Sequence, residues 1–351
     1  MSTESTSTQS PTNGTPASPS GDGPSGGAAA IVRRGLRAPA ASVLLATVLL
    51  VGIVGAAHPT FLRANQLLDI LQASTYVGLI AIGMSYLVAM REIDLSVGSQ
   101  FGLCLITAAL LISHGVNTWL AAVLGIAAGA VLGLVNATVV RFVRIPTIVA
   151  TLATLSVFRG LAVAVTDGQQ VVGLPVDDSF FTVLGGNVGG VPVSVIVLIV
   201  VALALGVVLH RTPFGYRVLA IGSNPEAAAF AGISVARVRT HVLVLVGALA
   251  GLGGVLGLAY FTSGDPNIGM GFELQAIAAA VIGGTPLRGG TATVVGAVCG
   301  AVLLNVVASG LTYFSIPANW SAFATGLVIL LAVGADSLVR RRREARTAIN
   351  H

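Results

Sequence analysis

The chain has 351 residues, 55% of them hydrophobic and only 9% charged, with a mean hydropathy of +0.93 and a net charge of +5. A soluble domain carries about 25% charged residues, so these charges are too few to cover a water-facing globule of this size. All 18 basic residues are arginine; without a lysine the chain can build neither a nucleotide-binding P-loop nor a Schiff base.

Apolar runs such as residues 191–209 do not alternate, which sets them apart from the ~10-residue alternating strands of a membrane barrel. They are long enough for bilayer-crossing helices, which need ~20 residues. The expected fold is therefore an all-α, polytopic integral membrane protein.

Residues 1–38 begin with a stretch rich in Ser, Thr, Pro and Gly. Such a segment buries too little surface to offset its ordering entropy, so a disordered arm is expected. It lacks the basic-then-apolar layout of a cleavable signal peptide, and Arg33, Arg34 and Arg37 precede the first span. The membrane domain covers 39–337, and a basic tail covers 338–351. Reading apolar runs against turn residues predicts about ten spans: 40–57, 67–90, 97–113, 118–140, 147–166, 191–209, 241–262, 272–284, 292–309 and 319–335. With the N-terminus inside, all of the 18 arginines except Arg63 and Arg159 fall on the inner face. The positive-inside rule expects this distribution, so both termini are placed in the cytoplasm. Trp119 and Trp320 fall near outer span ends, where indole prefers to sit. The tail from Arg340 to Arg343 is read as a topology anchor, with lipid binding as the other reading.

Gly125, Gly129 and Gly133 recur every four residues on one span, Gly247 and Gly251 on another, and Gly296 and Gly300 on a third. Small residues at this spacing let helix backbones approach closely; packing within the chain is preferred over a dimer interface. Cys104 and Cys299 lie in apolar runs and read as small buried hydrophobes. His58, His114, His210, His241 and His351 have neither zinc spacing nor a nucleophile partner. No catalytic set, metal or cofactor is expected.

Two segments interrupt the apolar pattern. Residues 90–99 set Arg91, Glu92 and Asp94 before Ser96, Gly98 and Ser99. Residues 282–291 carry Gly283, Gly284, Thr285, Pro286, Arg288, Gly289 and Gly290 after a short eighth span that begins near Glu273. Leu95, Gly98 and Ser99 correspond weakly to Leu287, Gly290 and Thr291 at one constant offset, and because both breaks join an out-to-in span to an in-to-out span, any repeat is parallel rather than inverted. Paired interruptions of this kind point to the translocation region of a transporter. The alternative is a plain turn at each place, with Asp94 and Ser96 capping the third span.

The longest inside loop, 210–240, contains Asn224-Pro225-Glu226: an N-cap oxygen, a preset φ and an acid near the positive helix end. Ala227, Ala228 and Ala229 extend this helix and Gly232 ends it. So short a helix is marginal in water. It packs either on a partner or on the membrane face of its own chain.

Ile93-Asp94-Leu95-Ser96-Val97-Gly98-Ser99, the stretch from Ala220 to Ile233, and the run from Gly271 to Thr285 closely resemble the permease subunits of bacterial ATP-binding-cassette importers for ribose, xylose, rhamnose and galactose. The resemblance runs from about residue 60 to 337. It implies a partnership with cytoplasmic ATP-binding subunits, an extracytoplasmic sugar-binding protein and a second permease copy or paralogue; nucleic acid has no part in it. The Asn224–Gly232 helix resembles the coupling helix that docks on the ATPase. Arg91-Glu92 departs from the glycines frequent there in the family. Other readings are a related permease for branched-chain amino acids or a signalling sugar, and an ion-coupled transporter using Glu92, Asp94 or Glu273. An intramembrane enzyme would need a paired catalytic set inside the spans, and none is visible.

Overall fold

The computed structural model describes residues 39–317 together with Trp320, Phe323, Gly326, Leu327, Leu330 and Gly334. The arm at 1–38, the tail at 338–351 and most of the span expected at 319–335 lie outside the described residues. The helices in chain order are α1 (Pro39–Ala57), α2 (Ala64–Ala89), α3 (Val97–Ser113), α4 (Thr118–Val143), α5 (Thr147–Ala164), α6 (Ser179–Leu184), α7 (Val193–Arg211), α8 (Pro213–Ser223), α9 (Pro225–Phe230), α10 (Val235–Phe261), α11 (Phe272–Ile282) and α12 (Val294–Tyr313). A single 3-10 turn, Pro59–Leu62, joins α1 to α2. A two-residue hairpin, β1 (Asn187–Val188) with β2 (Val191–Pro192), is antiparallel. The chain is all-α and polytopic: seven helices are long and apolar enough to cross a membrane, with α3 and α11 as shorter apolar helices. Nine of the predicted spans thus correspond to helices.

Burial sorts these helices into a centre and a rim. In their most apolar windows α2 and α10 are 72% and 78% buried, against 22% for α1 and 28% for α7. The rim helices therefore turn bare aliphatic side chains outward, among them Leu44, Leu45 and Leu49 of α1 and Val200 and Leu203 of α7. That surface suits lipid and would be a liability in water.

The glycine stripes explain how the centre closes. A Cβ on Gly129 would strike the carbonyl of Gly247, one on Gly247 would strike Gly129, and one on Gly133 would strike Leu243. The stripes of α4 and α10 therefore face each other inside the chain, as the preferred sequence reading had it. On α12, Gly296 and Gly300 meet Gly283 and Ala279 of the α11 segment in the same way.

The surface loop is more ordered than its sequence predicts. Residues 213–223 form a complete helix, and α10 begins at Val235, six residues before the predicted span. Thr212 caps α8 by accepting from Gly215 N at 3.4 Å, with Pro213 at its first position. Val218 and Ile221, the buried side of α8, lie three residues apart; this helical spacing was legible, but the prolines and glycines around it read as loop.

Gly247→Val tests the α4–α10 crossing. Overpacking on this scale costs at least ~1–3 kcal/mol, and the expected outcome is a lower unfolding midpoint of the detergent-solubilised protein. An unchanged midpoint would show that the two helices can part without loss.

Candidate functional site

The break after α2 is held by a buried polar cluster. Asp94 is fully buried. One of its carboxylate oxygens accepts from Ser96 N at 2.7 Å and Ser96 Oγ at 2.6 Å. The other accepts from Gln100 Nε2 at 3.0 Å and from Asn136 Nδ2, on α4, at 3.2 Å. The two amides also donate to Ser96 Oγ at 2.8 Å each. Asn136 Oδ1 in turn accepts from Thr154 Oγ1 of α5 at 2.7 Å, and Leu95 N donates to Thr151 Oγ1 at 3.1 Å. Buried polar groups must find partners or cost free energy, and here α3, α4 and α5 each supply one. Ser96 sits at the N-cap position of α3, yet its side chain makes no cap bond; its hydroxyl serves the Asp94 cluster. Ser99 is buried too, donating to Ser96 O at 2.9 Å.

A second polar tie joins α5 to the stretch before α11. Arg159 of α5 donates to the carbonyls of Pro266 at 2.6 Å and Ile268 at 3.1 Å, and Asp265 and Glu273 supply opposite charge to it. The irregular stretch before α11 is thereby pinned across α3. Gly98 and Gly102 make room for it: a Cβ on Gly98 would meet the Glu273 carboxylate and the Gly269 carbonyl, and one on Gly102 the Ile268 carbonyl. With 11 residues, α11 is about 16 Å long, roughly half a bilayer core.

The break after α11 closes differently. Gly283 packs on Gly296, and Gly284 has φ +100°. Thr285 is fully buried and its Oγ1 accepts from Thr293 N at 3.2 Å. Gly289 and Gly290, at φ +74° and +84°, turn the chain against the end of α2, where Gly290 N donates to Ala89 O at 2.9 Å.

These two breaks and the surface loop meet at one junction. Arg91, at φ +63°, donates from Nε to Gly222 O at 2.7 Å and from Nη2 to Ser223 O at 2.8 Å, so it caps the end of α8. Glu92 pairs with Arg239 on the first turns of α10 at 2.5 Å. Gly222 and Gly289 both lie against the Ala89 carbonyl so closely that a Cβ at either would collide with it. The segment between these contacts contains α9. Asn224 Oδ1 caps that helix, accepting from Glu226 N at 3.1 Å and Ala227 N at 3.0 Å, and Gly232 leaves it at φ +83°. Only Ala228 of α9 is buried, while Glu226, Ala227, Ala229 and Phe230 are exposed, Phe230 by 93%. Beneath it is a hollow of about 1300 Å³ reaching Phe214, Ile233, Arg237 and His241. The helix is therefore held mainly through its two ends.

Outside the helices, Asp178 caps α6 and its carboxyl is held below the usual carboxylate range by the Phe180 amide, with the Thr118 hydroxyl adding to the effect. The described residues contain no cluster of three His, Cys, Asp or Glu side chains placed to hold a metal.

The family described as "Branched-chain amino acid transport system / permease component" matches residues 66–333. The chain belongs to this permease family. It is 38% identical over 288 residues to the ribose import permease protein of Bacillus subtilis (strain 168), covering 82% of this chain and 89% of that protein. It is 34% identical to the L-arabinose ABC transporter permease protein of Azospirillum brasilense, covering 82% of this chain and 84% of that one. To the autoinducer 2 import system permease protein of Yersinia enterocolitica it is also 34% identical, covering 85% of this chain and 82% of that one. No solved structure matches the chain. Membership makes it a multi-pass permease component of the inner membrane.

Among the residues singled out in this permease by sequence, Asp94, Ser96 and Ser99 lie in one cluster, Gly98 and Glu273 face each other, and Gly289 and Gly290 reach the junction. Gly283, Gly284 and Thr285 stay on the α11–α12 side. Sequence reading did not single out Gln100, Asn136, Thr151, Thr154, Arg159 and Gly222 as site residues. Asn136 and Arg159 were visible as polar residues within apolar spans, which are costly unless paired. Gln100 follows Ser96 by four residues on one helix face. Gly222 gave no such signal, since its role is a tertiary contact.

Asn136→Leu takes two donors from Asp94 and Ser96 and leaves the Thr154 hydroxyl only its 3.3 Å bond to Thr151 O. Leaving buried groups unsatisfied costs about 1–3 kcal/mol each. The expected outcome is a clear drop in the unfolding midpoint in detergent, larger than for Thr138→Val on the exposed side of α4.

Proposed function

We propose that the chain is the membrane-spanning permease of an importer for a small sugar of the pentose type. In this reading two cytoplasmic ATP-binding subunits power it, an extracytoplasmic binding protein delivers the sugar, and a second permease copy or paralogue completes the pathway. Both termini and the loop carrying α9 face the cytoplasm, as the arginine distribution favours. The sugar assignment draws on the ribose and L-arabinose permeases, whose names state those sugars. The autoinducer 2 permease keeps a signalling sugar as the second reading.

The observation that carries the mechanism is the junction at Arg91. The exposed α9, with Asn224, Pro225, Glu226, Ala227, Ala228, Ala229 and Gly232, is the surface an ATP-binding subunit would push. Its entry is tied by Arg91 to α8 and its exit by Glu92 to Arg239. A displacement of α9 is thereby delivered to the turn at 90–92, directly next to Asp94 and against Gly289 and Gly290. The gate is assigned to Asp94, Ser96, Gly98, Ser99 and Glu273 on one side and Gly283, Gly284, Thr285, Gly289 and Gly290 on the other. ATP hydrolysis belongs to the partner, since the chain has no lysine for a P-loop.

Glu226→Arg reverses the charge on the exposed side of α9 and is expected to abolish ATP-dependent sugar uptake while the protein remains in the membrane at normal levels. Sugar uptake by the purified chain alone, driven by a proton gradient, would overturn the reading. Arg91→Gly tests the junction separately, because glycine relieves the left-handed φ and removes only the side-chain ties. The expected result is uncoupling: ATPase activity of the assembled importer persists while uptake per ATP falls about tenfold or more, in line with the loss of two charge-assisted hydrogen bonds. Equal coupling in variant and wild type would remove Arg91 from the mechanism.

A further inference from the structure

A cavity of about 420 Å³ lies between α2, α10, α11 and α12, away from the junction. Its walls carry the rings of Tyr76, Tyr260, Phe261 and Phe272 and the side-chain amides of Gln275 and Asn305. Tyr76 forms a ring cluster with Tyr260 and Phe261, at centroid separations of 6.2 and 5.7 Å. None of the described residues lining the cavity is Asp, Glu, Arg, Lys or His.

The polar groups in this wall are underused. Asn305 Nδ2 donates to Ala301 O at 3.1 Å, and its Oδ1 has no hydrogen bond among the described residues. The Gln275 amide has none either. The Tyr76 side chain is 3% exposed, and its hydroxyl is enclosed without a hydrogen bond of good geometry, with Gln72 one turn before as the polar group acting on it. Buried polar groups are normally satisfied, so the enclosed Tyr76 hydroxyl, beside two half-buried amides with spare hydrogen-bonding capacity, leaves a place for a polar ligand. The size falls in the lower part of the range for small-molecule sites.

We infer that this cavity is a relay subsite for a neutral monosaccharide on its way through the permease. A sugar ring has apolar C–H faces and a hydroxyl rim. The faces match the aromatic walls and the rim matches the amides, which can both donate and accept. A zwitterionic amino acid would bury an ammonium and a carboxylate against walls that offer neither charge, which is costly. The cavity thus selects for sugars over the branched-chain amino acids after which the family is described. The inference rests on the proposed importer function and adds the place and chemistry of one step.

The test uses the full-length chain reconstituted in proteoliposomes with its ATP-binding subunits and binding protein. The probes are radiolabelled D-ribose, D-xylose and L-arabinose, with L-leucine as the charged contrast. In the double variant Gln275→Leu/Asn305→Leu, sugar uptake is expected to fall about tenfold or more, the scale of two lost hydrogen bonds. ATPase stimulation by the sugar-loaded binding protein should stay within about twofold, because docking and coupling lie elsewhere. Independently, Ala308→Cys places a thiol in the cavity wall. Its labelling by an impermeant thiosulfonate, corrected for the wild type, should be slowed by the transported sugar, a protection that a merely structural role would not give. This second readout stands if the double variant fails to fold. Wild-type sugar uptake combined with unprotected Ala308→Cys overturns the subsite and leaves the importer reading intact. Wild-type uptake of L-leucine but of none of the three sugars overturns both.

Discussion

A helix that stops within the low-dielectric part of a membrane leaves up to four donors or four acceptors without partners, and no water is at hand to take them. The architecture of this permease is organised around that cost. Asp94 gathers the start of α3 by accepting four donated hydrogen bonds, and Arg159 covers two carbonyls of the irregular stretch before α11. Arg91 covers the last carbonyls of α8. Every one of these caps is a side chain from a different element than most of its partners. The breaks therefore double as fasteners: each interruption binds neighbouring helices because its backbone and polar groups have to be satisfied there.

Two kinds of contact with opposite mechanical character result. Gly129 against Gly247 and Gly283 against Gly296 are backbone-to-backbone approaches with no slack, and close-packed interiors transmit displacement rather than absorb it. Helix α9 is the reverse: only Ala228 of it is buried, and an open hollow lies along it. In the proposed coupling, a push on α9 would be resisted at its ends, where Arg91 holds Gly222 and Ser223 before it and Glu92 holds Arg239 after it.

Legibility in the sequence followed the physics of each feature. Span positions were readable because lipid leaves a long, one-sided record in composition, and α9 was readable because Asn224-Pro225-Glu226 is a local capping code. Glycine stripes were readable as close packing, since four-residue spacing survives in one dimension. The partners of Asp94 were harder to read. Asn136 is 42 residues away, and its amide became meaningful only once α4 lay beside α3. The juncture of Ala89, Gly222 and Gly290 was illegible, because nothing local in those residues records which carbonyl they approach. The helix at 213–223 was missed for another reason: Pro213 and Gly222 are breakers in isolation but sit here at its first position and near its end, where breakers belong.

The two ties at the ends of α9 are unequal, and the inequality sets a direction. Arg91 is itself exposed, so its hold comes not from shelter but from two hydrogen bonds to adjacent carbonyls in a forked geometry that fixes orientation. The Glu92–Arg239 pair is a single contact that also sees solvent, and such pairs are worth roughly 0–1 kcal/mol. Motion of α9 should therefore reach the membrane breaks chiefly through α8, with the α10 side yielding first. Because Arg91 sits on the same turn as the Ala89 carbonyl that receives Gly290, pulling on α8 loads both broken segments at once. Glycine at position 91 would keep the backbone shape of the turn and lose both of its side-chain ties to α8.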